Sequence, residues 1–379
     1  MSPIRPISAP AEFRRALEQV RRAYYRDLPG WHAPPAWLEL SRFDREHEPF
    51  WRTHEGQTFT YESNGQVQGR ITAFVPRTAS QLGRFGVFDS ADDPAIAAAL
   101  VQAAGDWLSA RGVTRMEGPF FFSMHDEVGL LTSGHDTPPS VLMPYNPPYY
   151  ARLLEQAGLK SIRRFITYRY HISTDLETVT SYKLSLPGIT VRAFRLDRAE
   201  EEIAPLLEVY NAAFAGNWGF TPLGREEGRV LVANLIKLGH PELVRIAESD
   251  GRPVGFTLCM PDINRYLHSI RNYPEFLKTP LLLWAVFRKK ARECRVLTLA
   301  ILEEFRGRGL SRVLMDSLAS TAARLGYRNA ELSYVDTENE RMHRLMSSYR
   351  FDTAKEYHLF ARDLPCSPIR PTPIANSEP

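Results

Sequence analysis

One short run, Arg306-Gly307-Arg308-Gly309-Leu310-Ser311, interleaves arginines with glycines where an apolar stretch gives way to an amphipathic one. Those residue types at the start of a helix suit an anion. The first N–H groups of a helix have no partner within it, its dipole favours negative charge there, and glycine lets a phosphate approach the backbone. Arg312 adds charge one residue further on. A glycine pair alone is weak evidence, because a tight turn with solvated arginines has the same composition. The flanking elements therefore carry the weight.

Residues 295–302 (RVLTLAIL) are short and rich in branched apolar side chains, which predicts a buried strand. Leu310, Val313, Leu314, Leu318, Ala322 and Leu325 then recur at helical spacing, and Gly326 stands where a C-cap belongs. Residues 330–336 (AELSYVD) predict a second strand, and Met342, Leu345, Met346 and Tyr349 a second helix. The unit is strand, glycine loop, helix, strand, helix.

Read as a whole, 306–311 resembles the Arg/Gln-x-x-Gly-x-Gly/Ala signature of the GNAT superfamily of N-acetyltransferases, with Ser311 in the last small position. Residues 339–351 resemble that family's second motif, Asn followed by Leu-Tyr-x-x-x-Gly-Phe, with Met346 in place of the Tyr and Arg350 in place of the Gly. The resemblance implies a donor, acetyl-coenzyme A or another acyl-coenzyme A, whose pyrophosphate lies on Arg306, Gly307, Arg308, Gly309, Leu310 and Ser311. It implies a pantetheine arm along the preceding strand, a backbone N–H of Leu299, Ala300 or Ile301 polarising the thioester carbonyl, and Asn339 facing the arm. Transfer to an amine also needs that amine neutral and, on departure, a proton for the thiolate. Glu331 is the favoured base, with Glu303 and Glu304 as alternatives. Tyr334 or Tyr349 stands in for the missing Tyr as acid, although either residue equally suits core or rim packing. The family's acceptor pocket maps to Asn217, Trp218 and Phe220, which could clasp an apolar acceptor or simply close a packed loop.

A repeat is legible. The hairpin signal at 59–75, turning at Asn64-Gly65, is echoed at 244–260, turning at Asp250-Gly251. A helix beginning at Asp93-Pro94 and closing at Gly112 matches the one at 310–326, and 145–159 parallels 338–351. Where the second copy has its glycine loop, the first has GVFDSADDP, whose Asp89, Asp92 and Asp93 would repel a diphosphate. The expectation is an α+β protein of two tandem GNAT-like units, each a mixed, mainly antiparallel sheet flanked by helices. Residues 1–180 form a degenerate unit, 187–364 the unit with the donor site, and 365–379 a disordered, proline-rich tail. The segments GPFFFSMHDEVGLL, YNPPYY, NWGF and AELSYV extend the resemblance to a group of bacterial tandem GNAT proteins over nearly all of 10–362, without supplying a substrate.

Composition bounds the rest. A chain of 379 residues with 44% hydrophobic content can bury two cores, and a net charge of +3 suits an anionic ligand without requiring nucleic acid. Cys259, Cys294 and Cys366 have neither metal-ligand nor disulfide spacing, so a reducing cytoplasm is the expected location. With no signal peptide and no run long enough to span a bilayer, no membrane partner is expected. Two insertions interrupt the units. In 118–145, Phe120, Phe121, Phe122, Ser123, His125, Asp126, Glu127, His135 and Asp136 could line a substrate pocket; a metal site is conceivable, but the spacing fits no familiar ligand pattern, and the charged members read instead as surface charges around anchoring phenylalanines. In 262–293, an apolar helix near 281–287 runs into the basic 288–292 (RKKAR). The predicted reaction is direct acyl transfer from acyl-coenzyme A to a small-molecule amine. The alternatives are an aminoacyl-tRNA or acyl-carrier-protein donor, for which Arg163, Arg164, the basic run 288–292, Arg324, Arg328, Arg341, Arg344 and Arg350 would form a phosphate track, and a non-catalytic acyl-coenzyme A binder.

Overall fold

The structure, a computed structural model, describes residues 3–78, 80–172, 186–226, 228–230, 240–349 and 351–365. Arg350, Cys366 and the tail from 366 lie outside them. Thirteen strands join in one mixed, mostly antiparallel sheet with helices packed against it. They are β1 (Ile4–Ile7), β2 (His54–Ser63), β3 (Gln66–Pro76), β4 (Leu82–Ser90), β5 (Arg115–Gly118), β6 (Leu130–Ser133), β7 (Lys160–His171), β8 (Ile189–Ala193), β9 (Val244–Ser249), β10 (Arg252–Pro261), β11 (Glu293–Ile301), β12 (Asn329–Asp336) and β13 (Asp352–Asp363).

Local signals explain most of these elements. Asn64 and Gly65, at φ 51° and 73°, turn β2 into β3, and Asp250 and Gly251, at 49° and 74°, turn β9 into β10. Two positive φ angles are what a two-residue hairpin turn requires. Asp93 caps the helix Pro94–Ser109 by accepting the Ala95 N–H at 2.8 Å. That helix buries Ile96, Leu100, Val101 and Leu108 against β3 and β4, and Leu310–Arg324 buries Val313, Leu314, Met315 and Leu318 against the second half. Each such side chain contributes about 1.5–3 kcal/mol of burial free energy.

The sheet order is β1-β2-β3-β4-β5-β13-β7-β12-β11-β10-β9-β8, with β6 paired to β13. β7, from the first half of the chain, lies against β12, and β13, the last strand of the second half, lies against β5. Each half thus completes the other's sheet. The two exchanged strands also pair with each other along their length, from Asp352↔Arg169 to Ala361↔Lys160.

Candidate active site

Gly307 and Gly309 have φ of 77° and 88°, and Gly309 is the N-cap of the helix Leu310–Arg324. Other residues would be strained there. An added Cβ would meet nothing within 4 Å at Gly307 and only Leu186 Cδ2 at 3.9 Å over Gly309, so the loop is open above both. No protein acceptor among the described residues takes the N–H groups of Gly307, Arg308, Gly309, Leu310 or Ser311. Five unpaired donors at the positive end of a helix form a cradle that fits a diphosphate. The arginines divide their work. Arg306 donates to the carbonyls of Ile301 at 3.1 Å and Ala213 at 2.6 Å, bracing the loop against the strand and a neighbouring helix. Arg312 stacks over Tyr349 at 5.5 Å, while Arg308 is exposed beside Phe305.

A gap opens from this loop into the sheet. β11 and β12 pair only from Glu293↔Asn329 to Val296↔Leu332. Beyond that, β11 stays with β10 as far as Gly255↔Ile301, whereas β12 follows β7 through Val335↔Ile166 and Asp336↔Phe165. Leu299, Ala300 and Ile301 lie on the diverging length of β11. Ala300 and Ile301 bury their side chains in the core, so what they offer a ligand in the gap is main chain.

Tyr334 lies two residues past Leu332, the last residue of β12 that pairs with β11. Its hydroxyl accepts the Val128 N–H at 3.0 Å, and its ring lies 5.5 Å from Phe165 and 5.6 Å from the Arg295 guanidinium. Burial pushes its phenol up. Arg295 is itself held by Ser333 Oγ at 2.8 Å and the Val141 carbonyl at 2.5 Å. Glu331 is raised by burial, against the pull of Arg295 and a hydrogen bond from Ser140. Its Oε1 and the hydroxyl of Tyr357 find no partner among the described residues, so this cluster is not fully satisfied by protein.

Glu127, one residue before the strut to Tyr334, is only partly covered, yet burial pushes its carboxyl to about 7, helped by Glu39 and Asp126 and opposed by Arg295 and Arg21. Nearby, burial raises Asp262 to about 6, although its Oδ1 accepts the N–H groups of Val141 and Asn264. Burial lowers Lys355 to about 8, and its ammonium donates to the carbonyls of Gly134 and Thr137 and to Thr137 Oγ1. A carboxyl that titrates near neutrality is suited to take a proton from an amine. The expectation that the charges of 118–145 lie on a surface loop holds for the exposed Asp136 but not for His125, Asp126, Glu127 and His135, which are partly covered where Lys355 and Tyr334 fasten the insertion to the sheet. Asp126 does take a structural role, receiving Arg42 and the Ser123 hydroxyl. The sequence named Glu127 within a segment that could line a pocket yet favoured a surface role for it, because the contact that ties its neighbour Val128 to Tyr334 spans 206 residues.

The other predicted residues separate cleanly. Trp218 shares an apolar cluster with Met124, Phe165 and Tyr334, and Arg163 lies 5.6 Å over its ring. Phe220 sits 6.0 Å from Tyr210, and Asn217 is exposed on the turn between them. Tyr349 instead donates its hydroxyl to Asp316 Oδ1 at 2.5 Å and lines a small apolar void with Cys294 and Met315, on the face covered by the helix Leu310–Arg324. Met346 is completely buried in the same core. Asn339 caps the helix Glu340–Ser348 through the Met342 N–H at 3.1 Å, and Glu303 and Glu304 are exposed at the loop mouth. Of the arginines suggested for a phosphate track, Arg163 pairs with Asp336 and Glu338, Arg164 with Glu356, and Arg344 with Glu340. No group of three or more His, Cys, Asp and Glu side chains among the described residues is arranged to hold a metal ion.

A glycine cradle at a helix N-terminus, feeding a gap between two splayed parallel strands, defines the class of site. The Acetyltransferase (GNAT) family matches residues 203–349. The bacterial ceramide synthase of Caulobacter vibrioides is 30% identical over 372 residues, covering 95% of this chain and 97% of that protein. Protein YghO of Escherichia coli is 28% identical, covering 90% of each. The chain belongs to the GNAT acetyltransferase family, and its architecture is that of a tandem GNAT protein. A tandem GNAT protein from the clavulanic acid biosynthesis pathway superposes with a TM-score of 0.58 at 13% identity, over 97% of this chain and 99% of that one. A GCN5-related N-acetyltransferase from Sphaerobacter thermophilus does so at 0.54 and 16% identity, over 98% of each. These two likenesses speak to fold.

Proposed function

We propose that this chain is an N-acyltransferase that moves an acyl group from acyl-coenzyme A to the amine of a long-chain amino alcohol. The observation that carries the reading is the run of unpaired N–H groups at Gly307–Ser311, beside a gap between β11 and β12, with Tyr334 of β12 holding the backbone next to Glu127. The acceptor class rests on likeness to a protein named a ceramide synthase, since a ceramide is the amide of such an amine. Trp218 and Phe220, with Met124, supply an apolar wall for its chain. A soluble, cytoplasmic location suits a coenzyme A donor, and the donor site belongs to 187–364, with 1–180 as its degenerate partner.

In this mechanism the loop binds the donor's diphosphate and the arm lies between β11 and β12. A main-chain N–H among Leu299, Ala300 and Ile301 polarises the thioester carbonyl. The amine nitrogen attacks that carbon, and the Glu127 carboxylate accepts the proton the nitrogen loses. The C–S bond then breaks, and Tyr334 is the group placed to return a proton to the departing thiolate. Glu331 and Arg295 set the field around them rather than exchanging the proton. Tyr349, committed to Asp316 on the opposite face, is not assigned a role in transfer. Of the arginines that a tRNA donor would use, Arg163, Arg164 and Arg344 are already paired with carboxylates.

The test is amide formation followed by mass spectrometry, with long-chain acyl-coenzyme A and a sphingoid base, across pH. The reactive form of Glu127 is the carboxylate, so kcat/KM rises with pH through about 7. Glu127→Gln is expected to lower the rate about 100-fold or more and to remove that limb. A full-rate Gln variant would reject Glu127 as the base. Absence of product with every amine, despite donor binding, would reject the transferase reading.

A further inference from the structure

The helix Glu275–Phe287 is apolar on both sides, but only one side is covered. Leu282 and Ala285, at 7% and 3% exposure, face inward, where Leu282 packs with Leu267 and Ile270. Phe276, Leu283, Trp284 and Phe287 face outward at 77%, 64%, 49% and 82%. Their spacing places them on one stripe, and nothing among the described residues covers it. Trp37, itself 50% exposed, extends the stripe sideways, tied to it by its indole N–H on Thr279 Oγ1 at 3.0 Å. The patch ends in Arg288, Lys289, Lys290 and Arg292, all exposed and with no carboxylate at ion-pair distance among the described residues. The Lys290 ammonium lies 5.3 Å from the Trp284 ring.

We propose that this face docks the protein on the surface of an anionic lipid bilayer, with the aromatic stripe in the headgroup–acyl boundary and the basic run against the headgroups. Charge decides between occupants. A second copy meeting this face across a two-fold axis would bring four cations against their own image, which repels, whereas an anionic surface neutralises them. Tryptophan beside leucine and phenylalanine, bordered by Lys and Arg, is the composition of a helix that lies in an interface. No helix among the described residues is long and apolar enough to cross a membrane. The sequence-based expectation of no membrane partner rested on that criterion, which does not bear on a surface-lying helix. The inserted segment also supplies the sheet-side groups Asp262 and Glu293, the latter bound by Arg169 and Arg265. The inference goes beyond acyl transfer and does not depend on it.

The experiment is co-sedimentation of the full chain with vesicles of phosphatidylcholine alone and of phosphatidylcholine mixed with phosphatidylglycerol, at low and high salt, alongside light scattering of the free protein. The wild type is expected to sediment with the mixed vesicles and to be released by salt. Lys289→Gln with Lys290→Gln should weaken binding by about fivefold per cation removed. Leu283→Ser with Trp284→Ser and Phe287→Ser should reduce it at least about tenfold while leaving the melting temperature unchanged, since those side chains are already solvent-facing. Wild-type protein that stays in the supernatant with both vesicle types, or binding that the triple variant leaves intact, would overturn the proposal. So would a wild-type dimer that the triple variant dissociates, because a second copy would then cover the face. None of these readings uses a substrate, so failure here would leave the acyl-transfer reading standing.

Discussion

The two strand-to-helix junctions of this protein share a topology and differ in what fills them. In the second half, the junction after β11 is a bare glycine loop with five unpaired N–H groups, and the strands beside it part. In the first, after β4, each of three aspartates is consumed by the fold. Asp89 is buried and receives Arg70 Nε at 2.6 Å and the hydroxyls of Tyr25 and Tyr150. Asp92 pairs with Arg152, and Asp93 caps the helix. The gap is closed as well: the Phe120 N–H donates to the Phe85 carbonyl at 2.9 Å, and a Cβ on Gly86 would fall 1.6 Å from the Phe120 carbonyl oxygen. The difference teaches that the second junction leaves its backbone donors free, whereas the first spends its aspartates on a helix cap and on ion pairs and closes the space with Phe120.

Exchanging the character of the two junctions should give unequal results. The largest effect is expected for Gly309→Asp, which combines a side chain at φ 88° with a carboxylate in the cradle. Calorimetric titration with acetyl-coenzyme A should show affinity falling about 100-fold or more, whereas Asp92→Gly in the first junction should leave affinity unchanged. Donor binding that survives Gly309→Asp would remove the loop from the site.

Asp89→Ala should act on stability instead. It leaves the buried Arg70 with Glu39 as its remaining carboxylate partner, at 2.7 Å, and is expected to cost about 3–5 kcal/mol in chemical denaturation with donor affinity unchanged. Smaller again is Tyr349→Phe, which deprives Asp316 of its phenol. A loss of about 1 kcal/mol in stability with an unaltered kcat is expected. A large fall in kcat without a change in stability would instead return Tyr349 to the chemistry, and with it the helix-covered face of the sheet.

The sequence determined the local parts. Asn64-Gly65 and Asp250-Gly251 force paired hairpins, and Asp93-Pro94 starts one helix and Gly309 the other, because each depends on a few adjacent residues and their allowed backbone angles. The tandem repeat was legible for the same reason. Only the tertiary structure decided that β7 and β13 are exchanged, since both halves of the chain offer a strand of the same polarity pattern and length at that place. It also decided that burial lifts the carboxyl of Glu127 to about 7 and raises that of Glu331, the favoured base, while Glu303 and Glu304 stay exposed, and that Arg306 braces the loop whose ligand it was expected to hold. Burial and partners are properties of surfaces brought together from distant parts of the chain, and no local spacing records them.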